Sequence, residues 1–134
     1  MKLESPIKVT SDSQKNFLKI SFSGKITVKD ISSLKEQISR ELIHIKKGFT
    51  LLTDLTDLIS MEIKCAYFIK KAMELMRDHD IGFIIRVIPD ASKDIGLGIM
   101  SQFHYPKRLQ MVTVKNRKEA EIKLMDQAND SLNA

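Results

Sequence analysis

Two groups of oxygen-bearing side chains are the first residues in this chain with chemistry to offer. Asp54, Asp57 and Glu62 follow one apolar run, and Asp90, Ser92, Lys93 and Asp94 follow another. In an open α/β sheet both groups would fall beyond the carboxyl ends of parallel strands, where ligands usually sit. Oxygen ligands so gathered suit a divalent cation of the Mg²⁺ type, and with it phosphoryl transfer. The same residue types also make turns and cap helices after strands. The stretch from Asp90 to Asp94 fits a loop leading into a helix. No metal is therefore expected, and Asp54, Asp90, Lys93 and Asp94 are kept as candidates for a ligand-facing edge.

His104 and Tyr105 stand near that edge, where a histidine could move a proton. No serine or cysteine pairs convincingly with it. His44 falls near a helix end and His79 in the polar turn Arg77 to Asp80, so the three histidines lack ligand-like spacing. Cys65 shares a helical face with Ile69 and Met73, which favours burial over reactivity. With no nucleophile–base pair to name, the chain is not expected to be an enzyme, and no catalytic residue or cofactor is assigned.

The elements that must position these residues follow from periodicity. Ile7 and Val9, then Leu18, Ile20 and Phe22, alternate with polar residues around Asp12 to Lys15 and predict an antiparallel hairpin ending at Ser23-Gly24. Thr27 with Asp30 can cap a helix whose stripe is Ile31, Leu34, Ile38, Leu42 and Ile45, closed by Lys46, Lys47 and Gly48. Residues 49–53 read as a buried strand. A second helix is expected from Ser60 to Asp78, with Cys65, Ile69, Ala72, Met73 and Met76 inward. Residues 83–88 form the clearest strand, stopped by Pro89, and a short helix is expected over 94–103. Leu109 to Val114 is a further strand. Asn116 with Glu119 starts a last helix carrying Ala120, Ile122 and Leu124. The order β-β-α-β-α-β-α-β-α predicts a single-domain α/β fold over 1–128, with a mixed, mostly parallel sheet and flanking helices. Residues 129–134 read as a disordered tail.

Composition bounds the function. The 134 residues are 43% hydrophobic and 29% charged, ordinary for one globular domain. No apolar run is long enough for a transmembrane segment, and Met1 to Val9 lacks the apolar core of a signal peptide. One cysteine cannot form an internal disulfide, so a reducing, cytoplasmic setting is expected. The net charge of +5 comes from 22 basic and 17 acidic residues that interleave. Only Lys107, Arg108, Lys115, Arg117 and Lys118 cluster, so no specific nucleic-acid binding is expected.

The element order, together with Thr53 to Lys64, resembles the STAS domains: the sporulation anti-sigma-factor antagonists, the SpoIIAA-like group and SEC14-like relatives. In those domains the third strand ends in an Asp-Leu-Ser-Gly-Val-like stretch, a loop carries Asp-Ser-Ser-Gly, and a helix begins. Asp54 to Leu58 matches the first stretch, and Met61-Glu62 takes the hydrophobic-plus-acid position of the second. Asn116 to Leu124 resembles the closing helix, so the resemblance covers roughly residues 6 to 125. Where the antagonists carry the phosphorylated serine this chain has Ile63-Lys64. Ser60 and Thr56 are near but out of register. The resemblance implies a regulatory domain that binds a protein partner without that switch, through Asp57, Ser60, Glu62 and Lys64.

The stretch 94–105 is the second expected wall of that surface. Gly96 and Gly98 each cost a helix about 1 kcal/mol against alanine. Ile95, Leu97, Ile99, Met100 and Phe103 exceed one inward face, which makes Leu97, Met100 and Phe103 candidate contacts. The alternative is a SEC14-like binder of a lipid or small apolar ligand, roofed by residues 95–105. A homodimer is compatible with either.

Overall fold

The computed structural model describes residues 5–90 and 109–133, with side chains described as far as Gln127. Strands β1 (Ile7–Asp12) and β2 (Phe17–Ile26) form the expected antiparallel hairpin, with Ile7 opposite Phe22 and Asp12 opposite Phe17. Its turn is built by Asp12, whose carboxylate accepts from the Gln14 and Lys15 amides, and by Asn16 at a left-handed φ of 54°. Pairing with β1 stops at Phe22, but β2 runs on to Ile26 because a parallel partner strand continues on its other side.

Thr27 caps the first helix, as its sequence predicts. Its hydroxyl accepts from the Asp30 amide, and Asp30 accepts from the Thr27 amide. The expected single helix is two, α1 (Val28–Ile31) and α2 (Leu34–Leu42), yet Ile31, Leu34, Ile38 and Leu42 all face the core. The helix ends before Lys46-Lys47. The Lys46 backbone is taken by the Asn16 side chain, which accepts its amide at 2.7 Å and donates to its carbonyl at 3.3 Å.

Strand β3 (Thr50–Met61) is far longer than the expected 49–53. A 3-10 turn (Ile63–Cys65) leads into α3 (Ala66–Asp78), so the helix expected from Ser60 starts later. Strands β4 (Phe83–Val87) and β5 (Gln110–Val114) come next, then α4 (Arg117–Asn133). The helix expected over 94–103 lies outside the described residues. Helix α4 opens as predicted: Asn116 accepts from the Glu119 amide, and Glu119 accepts from the Lys115 amide. Its backbone stays helical to Asn133, where a tail was expected.

The sheet runs β1-β2-β3-β4-β5, parallel throughout except for the opening hairpin. Alternation along its strands makes two layers of core. On one face, Ile20, Phe22, Leu51 and Ile84 pack with the apolar stripes of α1, α2 and α3. On the other, Leu52, Phe83, Ile85, Val87 and Val114 pack with Ala120 of α4. The chain is thus an α/β protein with a five-stranded, mixed, mostly parallel sheet, as its pattern predicts.

Candidate functional site

The distal half of β3 is where the fold departs from regularity. Beyond Asp54 it leaves its register with β4 and keeps only β2. Ser21 stands opposite Asp54 but Ser23 opposite Asp57; Gly24 stands opposite Leu58 but Lys25 opposite Ser60. At each step β3 carries one residue more than β2, which is a bulge. On a regular strand, residues three apart face opposite sides of the sheet. The bulge breaks that rule, so Leu55 and Leu58 are both buried, while Asp54 and Asp57 both face one arginine.

That arginine is Arg117, at the start of α4. Its Nε donates to Asp54 and its terminal nitrogen to Asp57, each at 2.7 Å. The Asp54 side chain is 3% exposed. Its second oxygen accepts from the Thr56 amide at 3.0 Å and hydroxyl at 2.5 Å. Burial pushes the Asp54 carboxyl up, but the hydrogen bonds from Thr56 and Arg117 outweigh it and hold the group below its ordinary value. Hydrogen bonds to Asp54 first and Asp57 second push the Arg117 guanidinium up. Asp54 is therefore a satisfied structural anion that ties α4 to β3. Expected as a ligand-facing edge residue, it is instead occupied within the strand.

Past this clasp the chain turns outward. Ile59 near the end of β3 is 67% exposed, Ile63 in the 3-10 turn 92%, and Tyr67 in the first turn of α3 60%. Ile63 and Tyr67 are four residues apart along successive helical turns, the spacing that shares a face. The Tyr67 ring meets Phe68 edge-on at 5.3 Å, and Lys71 stands 5.5 Å from its centroid. Glu62 accepts from the Val28 amide at 3.2 Å, so the start of α1 is held against the start of α3. Cys65 is buried there; burial first, and the Glu62 charge second, push its thiol up, away from reactivity.

Of the residues proposed from sequence, Asp57, Ser60, Glu62 and Lys64 are exposed along this one stretch. Asp57 and Glu62 are engaged, with Arg117 and with Val28. Asp90 lies in the bend beyond β4, in a shallow open cleft with Arg86, Pro89, Thr113 and Lys115. Lys93, Asp94, Leu97, Met100, Phe103, His104 and Tyr105 lie outside the described residues. Arg117 was legible only as a member of a basic cluster; its partners lie some 60 positions away, and topology alone brings them together. Ile59 and Tyr67 were missed because exposure cannot be read from residue type.

The core between the sheet and α2–α3 is nearly filled. Among the described residues, the apolar cleft lined by Phe22, Leu34, Ile69, Met73 and Ile84 holds about 40 Å³. A pocket for a small molecule needs several hundred Å³. No three metal-ligating side chains converge among the described residues, and no helix there is long and apolar enough to cross a membrane.

A mixed sheet with this order and a strand-to-helix surface at its centre defines a recognisable class of α/β fold. Solved structures give it a name. An uncharacterised DUF3478-family protein with a SpoIIAA-like fold, from Shewanella loihica PV-4, superposes with a TM-score of 0.64 at 16% identity, covering 92% of this chain and 98% of that one. The anti-sigma factor antagonist SpoIIAA in its unphosphorylated form gives 0.59 at 12% identity, covering 90% and 97%. The chain has the SpoIIAA-like fold. No protein-family model matches the sequence, and no curated protein matches it.

Proposed function

We propose that this protein is a non-catalytic regulatory module that docks a partner protein on the surface running from the end of β3 through the 3-10 turn to the start of α3. One observation carries this reading: Ile59, Ile63 and Tyr67, three large apolar side chains on consecutive elements of one short stretch of chain, are each exposed. Scattered single exposed hydrophobes need no explanation, whereas a cluster marks an interaction surface. The similar antagonist is described in an unphosphorylated form. By the sequence resemblance, Ile63-Lys64 stand where such antagonists carry the phosphorylated serine, and neither has a hydroxyl to modify. Docking on this surface is then constitutive at that position. The SEC14-like alternative places its ligand under residues 95–105, which lie outside the described residues.

A photo-activated cross-linking residue placed at Ile63, and separately at Ile43, tests the reading in the native cell. Ile43 is 80% exposed but stands alone after α2. The expected result is a discrete protein adduct from position 63 that Tyr67→Ser abolishes, with none from position 43. Equal adducts from both positions, or none from 63, would refute it.

A further inference from the structure

We infer that the partner presents an acidic, apolar segment to this surface, an inference that rests on the docking reading above. Around the three apolar side chains the charges are sorted. Lys25, Lys29, Lys64 and Lys70 are exposed, and none makes an ion pair with a described residue. Lys25 pairs in register with Ser60 at the end of β3, and Lys64 follows Ile63 directly. Lys70 lies one turn past Tyr67, and Lys71 leans over its ring. Three acids near the end of β3 are bonded within the fold. Asp30 closes the cap of α1, Glu62 receives the Val28 amide, and Asp57 holds Arg117.

Asp57 and Glu62 stay exposed but are bonded within the fold, so the charges left to answer a partner around the apolar centre are the lysines at its rim. Such an arrangement takes its affinity from the buried centre and its choice of partner from the rim. The complement is a segment in which hydrophobic side chains are flanked by Asp and Glu. A nucleic acid would satisfy the lysines but leave the branched side chains of Ile59 and Ile63 without a partner. A basic or neutral segment would satisfy the centre but meet like or wasted charge at the rim.

The test selects displayed random peptides of about 15 residues, long enough for one amphipathic helix in a groove, on the full chain. Sequences that also bind Ile63→Ser/Tyr67→Ser are discarded. That variant keeps every lysine, so binding by charge alone is removed. The survivors are expected to interleave hydrophobic residues with Asp and Glu. As synthetic peptides they should lose at least roughly tenfold in affinity to Lys25→Glu/Lys64→Glu/Lys70→Glu, and weaken as salt rises. Neutral or basic survivors that still need Ile63 and Tyr67 would overturn the acidic partner and leave the docking surface standing. Peptides that bind parent and variant alike, or no enrichment, would overturn the docking surface itself. Anionic vesicles or self-association that displace the selected peptides would put a membrane or a second copy in the partner's place.

Discussion

At the amino end of the parallel strands three loops are laced together by backbone hydrogen bonds. The Gly48 amide donates to Asp80, the Gly82 amide to Phe49, and the Thr50 amide to Asn16. Asn16, Gly48 and Asp80 all take left-handed backbone angles there, so each loop follows a narrow path. At the carboxyl end of β3 the backbone bulges, side chains carry the connections, and large apolar groups face outward. One end is fixed by the main chain and holds the fold. The other is held by a side-chain clasp and leaves its surface for something else. Substitutions at the two ends should therefore separate stability from binding.

The sharpest blow to stability should come from Gly82→Ala. The added Cβ would stand 2.5 Å from the Gly48 carbonyl oxygen and 2.8 Å from its carbon, both backbone atoms. Neither can rotate away, so the loop crossing must open. Overpacking of this kind costs about 1–3 kcal/mol, and the upper half of that range applies where backbone meets backbone. Thermal denaturation should show a fall in Tm on the order of 10 °C, with peptide or partner binding at 25 °C unchanged. A fall of less than about 2 °C, small on the same scale, would show that the amino end is as pliable as the other and would break the comparison.

Next should come Asp54→Ala, which strips the Thr56 and Arg117 hydrogen bonds from a buried position. Losses of this kind run at about 1–3 kcal/mol. Because the Asp54 carboxyl is held below its ordinary value in the folded state, its contribution is complete above the ordinary carboxylate value. It fades as pH falls through the depressed one. Urea titrations of parent and variant should differ at neutral pH and converge in acid. Asp57→Ala is the control: its side chain is 61% exposed, so its bond to Arg117 is screened and the loss should be much smaller. Equal losses from both would place the weight of the clasp on the exposed pair, and a gap that persists in acid would show that Asp54 acts through packing instead.

Much of the fold was legible because its signals are local. The Thr27–Asp30 cap, the stripe from Ile31 to Leu42, the strand at 83–87 and the Asn116–Glu119 start of α4 each need only a few neighbouring residues. The candidate site was legible only in place. Sequence pointed to Asp57 through Lys64, and that stretch is largely exposed at the end of β3, where the docking surface is proposed. Its conformation was not legible, since the apolar run stops at Thr53 and polar residues follow at 54, 56 and 57. They form a strand because β2 runs alongside, two bulges absorb the mismatch in length, and Arg117 arrives from the other end of the chain. Each of those causes is a long-range pairing that no window of the sequence contains.

The smallest effect on stability, and the most informative, should come from Ile63→Ser. At 92% exposure the Ile63 side chain has almost no contact to lose. Substitutions at such positions usually stay within about 0.5 kcal/mol of the parent. Tyr67→Ser should cost somewhat more, since it also ends the edge contact with Phe68 and the cation contact with Lys71. Serine suits both exposed places, so either variant should keep the parent's circular dichroism and cooperative unfolding. Yet each removes apolar area from the centre of the proposed surface, where truncation of an anchor side chain typically costs more than about 1 kcal/mol of binding, roughly fivefold or more in Kd. Ile43→Ser supplies the matching control at the amino end, neutral for both properties. If Ile63→Ser unfolds the protein or lowers its stability by about 2 kcal/mol or more, far outside the surface range, the side chain is structural and the contrast between the two ends collapses. If it leaves both stability and binding untouched, the carboxyl end is merely an exposed strand terminus, and the partner must be sought on another face of the sheet.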